Sequence, residues 1–252
     1  MKYAIIADIH ANLEALQVVL DDTATVETGM RVVRDIRRLA REPQAGLPGV
    51  RALTGGFAAA QVDEQQQLMA ALPWIVLLML GATAATLLVA FRSVLVPVKA
   101  VVMNACAVAA ALGVVTRVLQ HGVGAGLLGL GEPTGTTFVY VPVLVFVIAF
   151  GLGMDYEVFL LSRIKEEFDR THDNDAATTN GVRATAGVIT SAAAIMVIVF
   201  AAFAFARTLL AQAVGLGLAV AVLVDATVVR LVMVPAFMQL AGRWNWWPGS
   251  RG

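Results

Sequence analysis

The chain has 252 residues, of which 59% are hydrophobic and 14% charged, with a mean hydropathy of +0.78. An average soluble domain is about 25% charged and 45–50% apolar, so this composition excludes a soluble globular protein and calls for a membrane protein. Eighteen basic residues balance eighteen acidic ones, which leaves no net charge to attract nucleic acid. The single cysteine, Cys106, has no internal disulfide partner and reads as a small buried thiol filling space.

The first 72 residues fall into two unlike pieces. Residues 1–22 read as a strand, Lys2–Ala7, then a turn and a short helix from Leu13. Asp8 and His10 are two apart at the strand end, a spacing at which both can face one metal. Asp8-Ile9-His10 with Asn12 resembles the opening Asp-x-His-Gly-Asn motif of calcineurin-like metallophosphoesterases, with Ala11 in place of the glycine. Such an enzyme needs further ligands. The other histidines, His121 and His172, lie in loops without suitable neighbours. We therefore expect no metal site and no cofactor, and read 1–22 as an orphan segment. The apolar stretch Tyr3–Ala7 is too short for a signal peptide and is interrupted at Asp8.

Residues 26–41 place Val26, Met30, Val33, Ile36 and Ala40 three or four apart among Arg and Asp, the pattern of an amphipathic helix. Pro43–Gly49 breaks it, Val50–Thr54 suits a short strand, Gly55-Gly56 a turn, and Gln61–Leu72 a polar helix. Together they suggest a small α/β remnant outside the membrane. Arg31, Arg34, Arg37, Arg38 and Arg41 read as a solvated helix face, not a nucleic-acid patch.

Five apolar runs, near 73–91, 97–118, 138–160, 186–206 and 211–240, reach the roughly 20 residues needed to cross a bilayer. Arg92, Lys99, Arg163, Lys165, Arg170, Arg183, Arg243 and Arg251 fall on one side, and only Arg117 and Arg207 on the other. The richly basic side should be cytoplasmic. The loop 121–135, rich in glycine but lacking a P-loop lysine and a preceding strand, should face outward and bind no nucleotide. An odd number of spans with a cytoplasmic C-terminus puts residues 1–72 outside with nothing ahead to carry them across. We infer a missing preceding span, and hence a fragment or fusion. Trp244, Trp246 and Trp247 beside Arg243 read as an interfacial anchor.

The polar residues inside these runs carry the functional signal. Phe138–Met154 holds no charge and leads into Asp155-Tyr156. An ionised carboxylate in a bilayer costs about 2.5–3.5 kcal/mol on insertion scales, so such an acid points to function. Burial lets an Asp take up and release a proton near neutral pH, and Tyr156 can hydrogen-bond either form. Gly151, Asp155 and Ser162 share a helix face. Glu157 and Arg163 read as solvated residues nearer the boundary. Asp225 and Arg230 lie in the last run but about 140° apart around an α-helix, so a direct pair is not assured. Thr190 and Ser191 should hydrogen-bond their own helix.

Four stretches in order complete the reading: Phe91-Arg92-Ser93-Val94-Leu95-Val96-Pro97, Gly151–Leu160, Gly215–Arg230 and Gly242–Pro248. From about residue 28 to 248 the chain resembles the C-terminal half of the MMPL (mycobacterial membrane protein large) transporters of the resistance–nodulation–division superfamily. The resemblance implies a mainly α, polytopic membrane helix bundle with the small α/β N-terminal remnant. It implies a proton-driven exporter of lipids or other hydrophobic compounds in the plasma membrane, not an enzyme. The domains would be 1–22 orphan, 23–72 porter-domain remnant, 73–242 transmembrane and 243–252 cytoplasmic tail. Asp155 and Tyr156 would carry the proton relay, supported by Asp225 and Arg230. The partners would be protons, membrane lipid and a chain supplying the N-terminal half, or further copies in a homo-oligomer. The competing readings are a non-functional or assembly-partner membrane fragment and a membrane-anchored metallophosphoesterase.

Overall fold

A computed structural model of the chain describes residues 26–39, 55–128 and 140–247. The expected strands at Lys2–Ala7 and Val50–Thr54, the Asp8/His10 pair and Arg251 lie outside these residues. The chain divides into two compact units, residues 1–71 and 72–252.

In the first unit, α1 (Val26–Leu39) takes the predicted amphipathic stretch, and α2 (Phe57–Phe91) begins. Val33 packs with Ala59 and Val62, flanked by Met30 and Ala58. The two helices are also tied through polar groups. Arg37 forms a forked ion pair with Asp63, and Arg34 Nη2 donates to Gln65 Oε1 at 2.7 Å. Part of the arginine face is thus engaged by α2 rather than wholly solvated.

Among its described residues, the second unit is built of helices joined by short turns. It holds the rest of α2, then α3 (Leu95–Leu119), α4 (Tyr140–Thr171), α5 (Asn174–Phe203), α6 (Leu209–Val224), a π-helical segment (Asp225–Met233) and α7 (Val234–Ala241). Short 3₁₀ turns occupy Ala125–Leu128 and Gly242–Trp246. Five helices are long and apolar enough to span a membrane, with α6, the π segment and α7 running together as the fifth. All five expected runs are present. Their ends differ, because polar residues continue the helices. α4 extends to Thr171 on the ion pairs Arg163–Glu166, Lys165–Asp169 and Arg170–Glu167, each three or four residues apart. Such pairs support a helix beyond its apolar part.

Local chemistry sets the turns. α2 ends where Arg92 takes a left-handed conformation (φ 47°) while its N–H still reaches Leu88 O at 2.9 Å. His172 does the same after α4 (φ 55°). Asp173 then caps α5 by accepting from the N–H groups of Asp175 and Ala176 at 2.9 and 3.1 Å, satisfying two orphan donors of the first turn.

The core is built by α3, α4 and α6. Val108, Val115, Val141, Val145 and Leu218 fill one layer. Gly217 permits it: a Cβ there would lie 2.7 Å from Val145 and 3.1 Å from Val115. A second layer holds Phe91, Met103, Phe150, Leu160, Ile164 and Met238. It also holds Trp246, which corrects the expected tryptophan anchor. The 3₁₀ turn folds Trp246 inward to stack on Phe168 at 5.0 Å, leaving Trp244 and Trp247 exposed. Cys106 is a further correction, since α3 buries Met103, Asn104, Ala107 and Val108 and turns Cys106 outward.

One end of this unit is closed by cross-links. Val94 N–H donates to Trp247 O at 3.3 Å, and Asn174 Nδ2 to Met238 O at 2.8 Å. Buried Asn245 donates to Met238 O at 2.8 Å and Gly242 O at 2.7 Å. The α2–α3 link, the α4–α5 link and the C-terminal turn therefore meet at the end carrying most of the basic residues.

Candidate functional site: a buried charge cluster at the π segment

Asp225 and Arg230 form an ion pair deep in the bundle, 8% and 4% exposed. The pairing follows from the backbone. In an α-helix the two would point apart, but from Asp225 to Met233 the hydrogen bonds skip five residues, as in Val234 N–H to Val229 O. A π turn brings residues i and i+5 onto one face. Such segments arise as local bulges and cluster at functional sites.

Arg230 has three attachments. Its Nη2 donates to Asp225 and, at 3.1 Å, to the carbonyl of Gly153 on α4. Its guanidinium also lies 4.9 Å from the centre of the Tyr156 ring, in cation–π range. Gly153 allows this approach. A side chain there would run into Asn104 of α3, so only glycine leaves α3, α4 and the arginine this close. A cavity with room for about one water is lined by Asn104, Gly153, Tyr156, Asp225 and Arg230.

Three of the four expected residues, Tyr156, Asp225 and Arg230, are thus brought together. Asp155 is not in the packed cluster. It is exposed, on a face of α4 shared with exposed Leu144, Ile148 and Ser162. The expected position on that face holds; the close packing of Asp155 against the other three does not occur within this chain.

Glu157 and Lys99 are the groups that sequence reasoning missed. Glu157, expected at a solvated boundary, is 4% exposed, because α4 runs on to Thr171 and places it well inside the helix. Lys99, counted with the loop cations, is 3% exposed, since α3 starts at Leu95 and turns its second turn inward. Its Nζ donates to Met238 Sδ at 2.8 Å and lies 6.0 Å from the Phe237 ring. Glu157 feels the charges of Lys99, Asp225 and Arg230. The signal was present in the spacing. Gly153, Glu157, Leu160, Leu161 and Ile164 fall on one inward stripe of α4, as Val96, Lys99, Ala100 and Met103 do on α3. Thr190 and Ser191 bond back to Ala186 O and Val188 O of their own helix, as expected. No group of three or more His, Cys, Asp and Glu residues that could hold a metal occurs among the described residues.

Comparison with known proteins places this bundle. The family described as "MMPL family" matches residues 4–252. The chain belongs to the MMPL family. The match takes in most of residues 1–22, the segment read from sequence as an orphan. Among MMPL relatives, the heme uptake protein MmpL11 of Mycobacterium tuberculosis (strain H37Rv) is 44% identical over 77% of this chain and 20% of its own length. The mycolic acid-containing lipids exporter MmpL11 of Mycolicibacterium smegmatis is 42% identical over 81% of this chain and 22% of its own. The trehalose monomycolate exporter MmpL3 of M. tuberculosis (strain CDC 1551) is 37% identical over 79% and 21%. The chain thus spans about a fifth of the length of these MMPL relatives. Family and helices together make it a multi-pass protein of the plasma membrane.

Proposed function

We propose that this chain acts as the C-terminal half of a proton-motive-force-driven exporter of lipids or other hydrophobic compounds. Residues 23–72 then belong to an extracytoplasmic porter domain, 73–242 form the transmembrane part and 243–252 the cytoplasmic tail. Asp155 is the proton carrier, and Tyr156, Asp225 and Arg230 hold and tune it. The observation that carries the reading is the Asp225–Arg230 pair, buried among membrane-length helices and fastened to Gly153 and Tyr156 of α4, the residues flanking Asp155.

The exposed side of Asp155 gives the reading its second half. A carboxylate facing lipid at mid-helix is costly, so the Leu144–Ile148–Asp155 face calls for a protein cover. A chain supplying the N-terminal half, or a second copy, would seal it and make Asp155 an interface acid. Moving one charge through the field releases about 2.3 kcal/mol per 100 mV, enough for a few protons to drive a conformational cycle. The relatives' names speak of heme, of mycolic acid-containing lipids and of trehalose monomycolate, which supports a hydrophobic cargo.

The test is transport in proteoliposomes holding this chain together with an N-terminal-half MMPL chain. A pH gradient should drive movement of a fluorescent lipid, and a protonophore should stop it. Movement that ignores the gradient would contradict proton coupling. No movement at all would favour the reading as an assembly partner.

A further inference from the structure

We propose that Glu157, buried on α4 one turn beyond Gly153, is a second proton-carrying acid that passes protons between the Asp225–Arg230 pair and the end of the bundle closed by the C-terminal turn. The inference rests on the proton-coupled reading above and extends it to residues given no part there. Four observations support it. Glu157 is buried on the inward stripe of α4, one turn beyond Gly153, whose carbonyl receives Arg230. Its Oε1 has no hydrogen-bond partner at full burial. A structural carboxylate at such depth is ordinarily satisfied by donors, and a bare oxygen fits a group that gains and loses a proton. Lys99 is equally buried, yet its partners are a thioether and an aromatic ring rather than a carboxylate. Finally, Asn104 Nδ2 and Arg230 Nε are also without partners, and both residues line the one-water cavity beside Asp225.

The charged groups around Glu157 are Lys99 on α3 and Asp225 and Arg230 on the π segment. Two cations and two acids balance when all are charged. They balance equally when a proton sits on Glu157 and Lys99 is neutral. The cluster can therefore hold its charge while a proton moves within it. In the transfer, the O–H bond of one carboxylic acid breaks as an O–H bond forms on a water or on the next carboxylate, and the proton is conserved. The outlet is marked by Met238. Lys99 bonds its sulfur, while Asn174 and Asn245 bond its carbonyl at the end where the α2–α3 and α4–α5 links meet.

Infrared difference spectroscopy of the full chain in liposomes tests the assignment without needing transport. As pH is raised, the stretch of protonated carboxyls should lose a component that Glu157→Gln removes, distinct from those removed by Asp155→Asn and Asp225→Asn. A Glu157→Gln spectrum identical to that of the unchanged protein at every pH would overturn the proposal. Lys99→Met is the second variant, for the case in which Glu157→Gln fails to insert. Losing its opposite charge should move the Glu157 component by about one pH unit or more. An unmoved component would also overturn it. Failure of the wider reading looks different: Asp155→Asn would still couple transport to protons.

Discussion

Arg230 is held by a carboxylate, a backbone carbonyl and an aromatic ring at once, so its loss should be felt first as instability. Removing one partner of a buried ion pair costs about 3–5 kcal/mol because the other charge is stranded. Arg230→Met should therefore lower the thermal midpoint of the detergent-purified chain markedly, and Asp225→Leu combined with Arg230→Met should recover much of it. An unchanged midpoint for Arg230→Met would mean the pair carries little of the fold. The sequence marked both residues as functional but left their pairing open. Its arithmetic assumed an α-helix, and nothing in Asp-Ala-Thr-Val-Val-Arg-Leu-Val-Met announces a π segment. Glu157 and Lys99 are misplaced for a related reason: each lies near the end of its apolar run and reads as solvated there, whereas α4 runs on to Thr171, α3 begins at Leu95, and both side chains turn inward.

At the scale of helices, five apolar runs were legible because hydrophobic length is nearly sufficient to specify a span. Which faces meet was not legible, since every face of such a run is apolar. Small residues settle that question. Gly217 lets α6 sit against Val145 of α4 and Val115 of α3. Gly217→Val should overpack this layer and destabilise the bundle by about 1–3 kcal/mol, read as a fall in the denaturant midpoint. Gly187→Ala, on α5 with open space around the added methyl group, should cause no loss and raise the midpoint slightly, since alanine is the better helix former. Equal loss in both variants would show that close approach at Gly217 is not what decides the packing.

Across the whole molecule, sidedness and partnership are what the chain's charges encode. With Cys106→Ala as background, a cysteine at Gly124 should react with an impermeant reagent from outside. One at Asp173 should react only from the cytoplasmic side, because one span separates the two positions. Reaction of both from one side would contradict the basic-residue asymmetry as a guide. Family membership was legible from ordered motifs spread over most of the chain. The exposure of Asp155 was not, because it depends on what covers α4. Coupled export with Asp155→Asn tests the central claim most directly. The variant keeps shape and polarity but cannot ionise. Reconstituted with an N-terminal-half chain, it should insert normally and lose pH-gradient-driven export, while Tyr156→Phe loses only part. Full coupled export by Asp155→Asn would contradict the account and move the proton to Asp225 or Glu157.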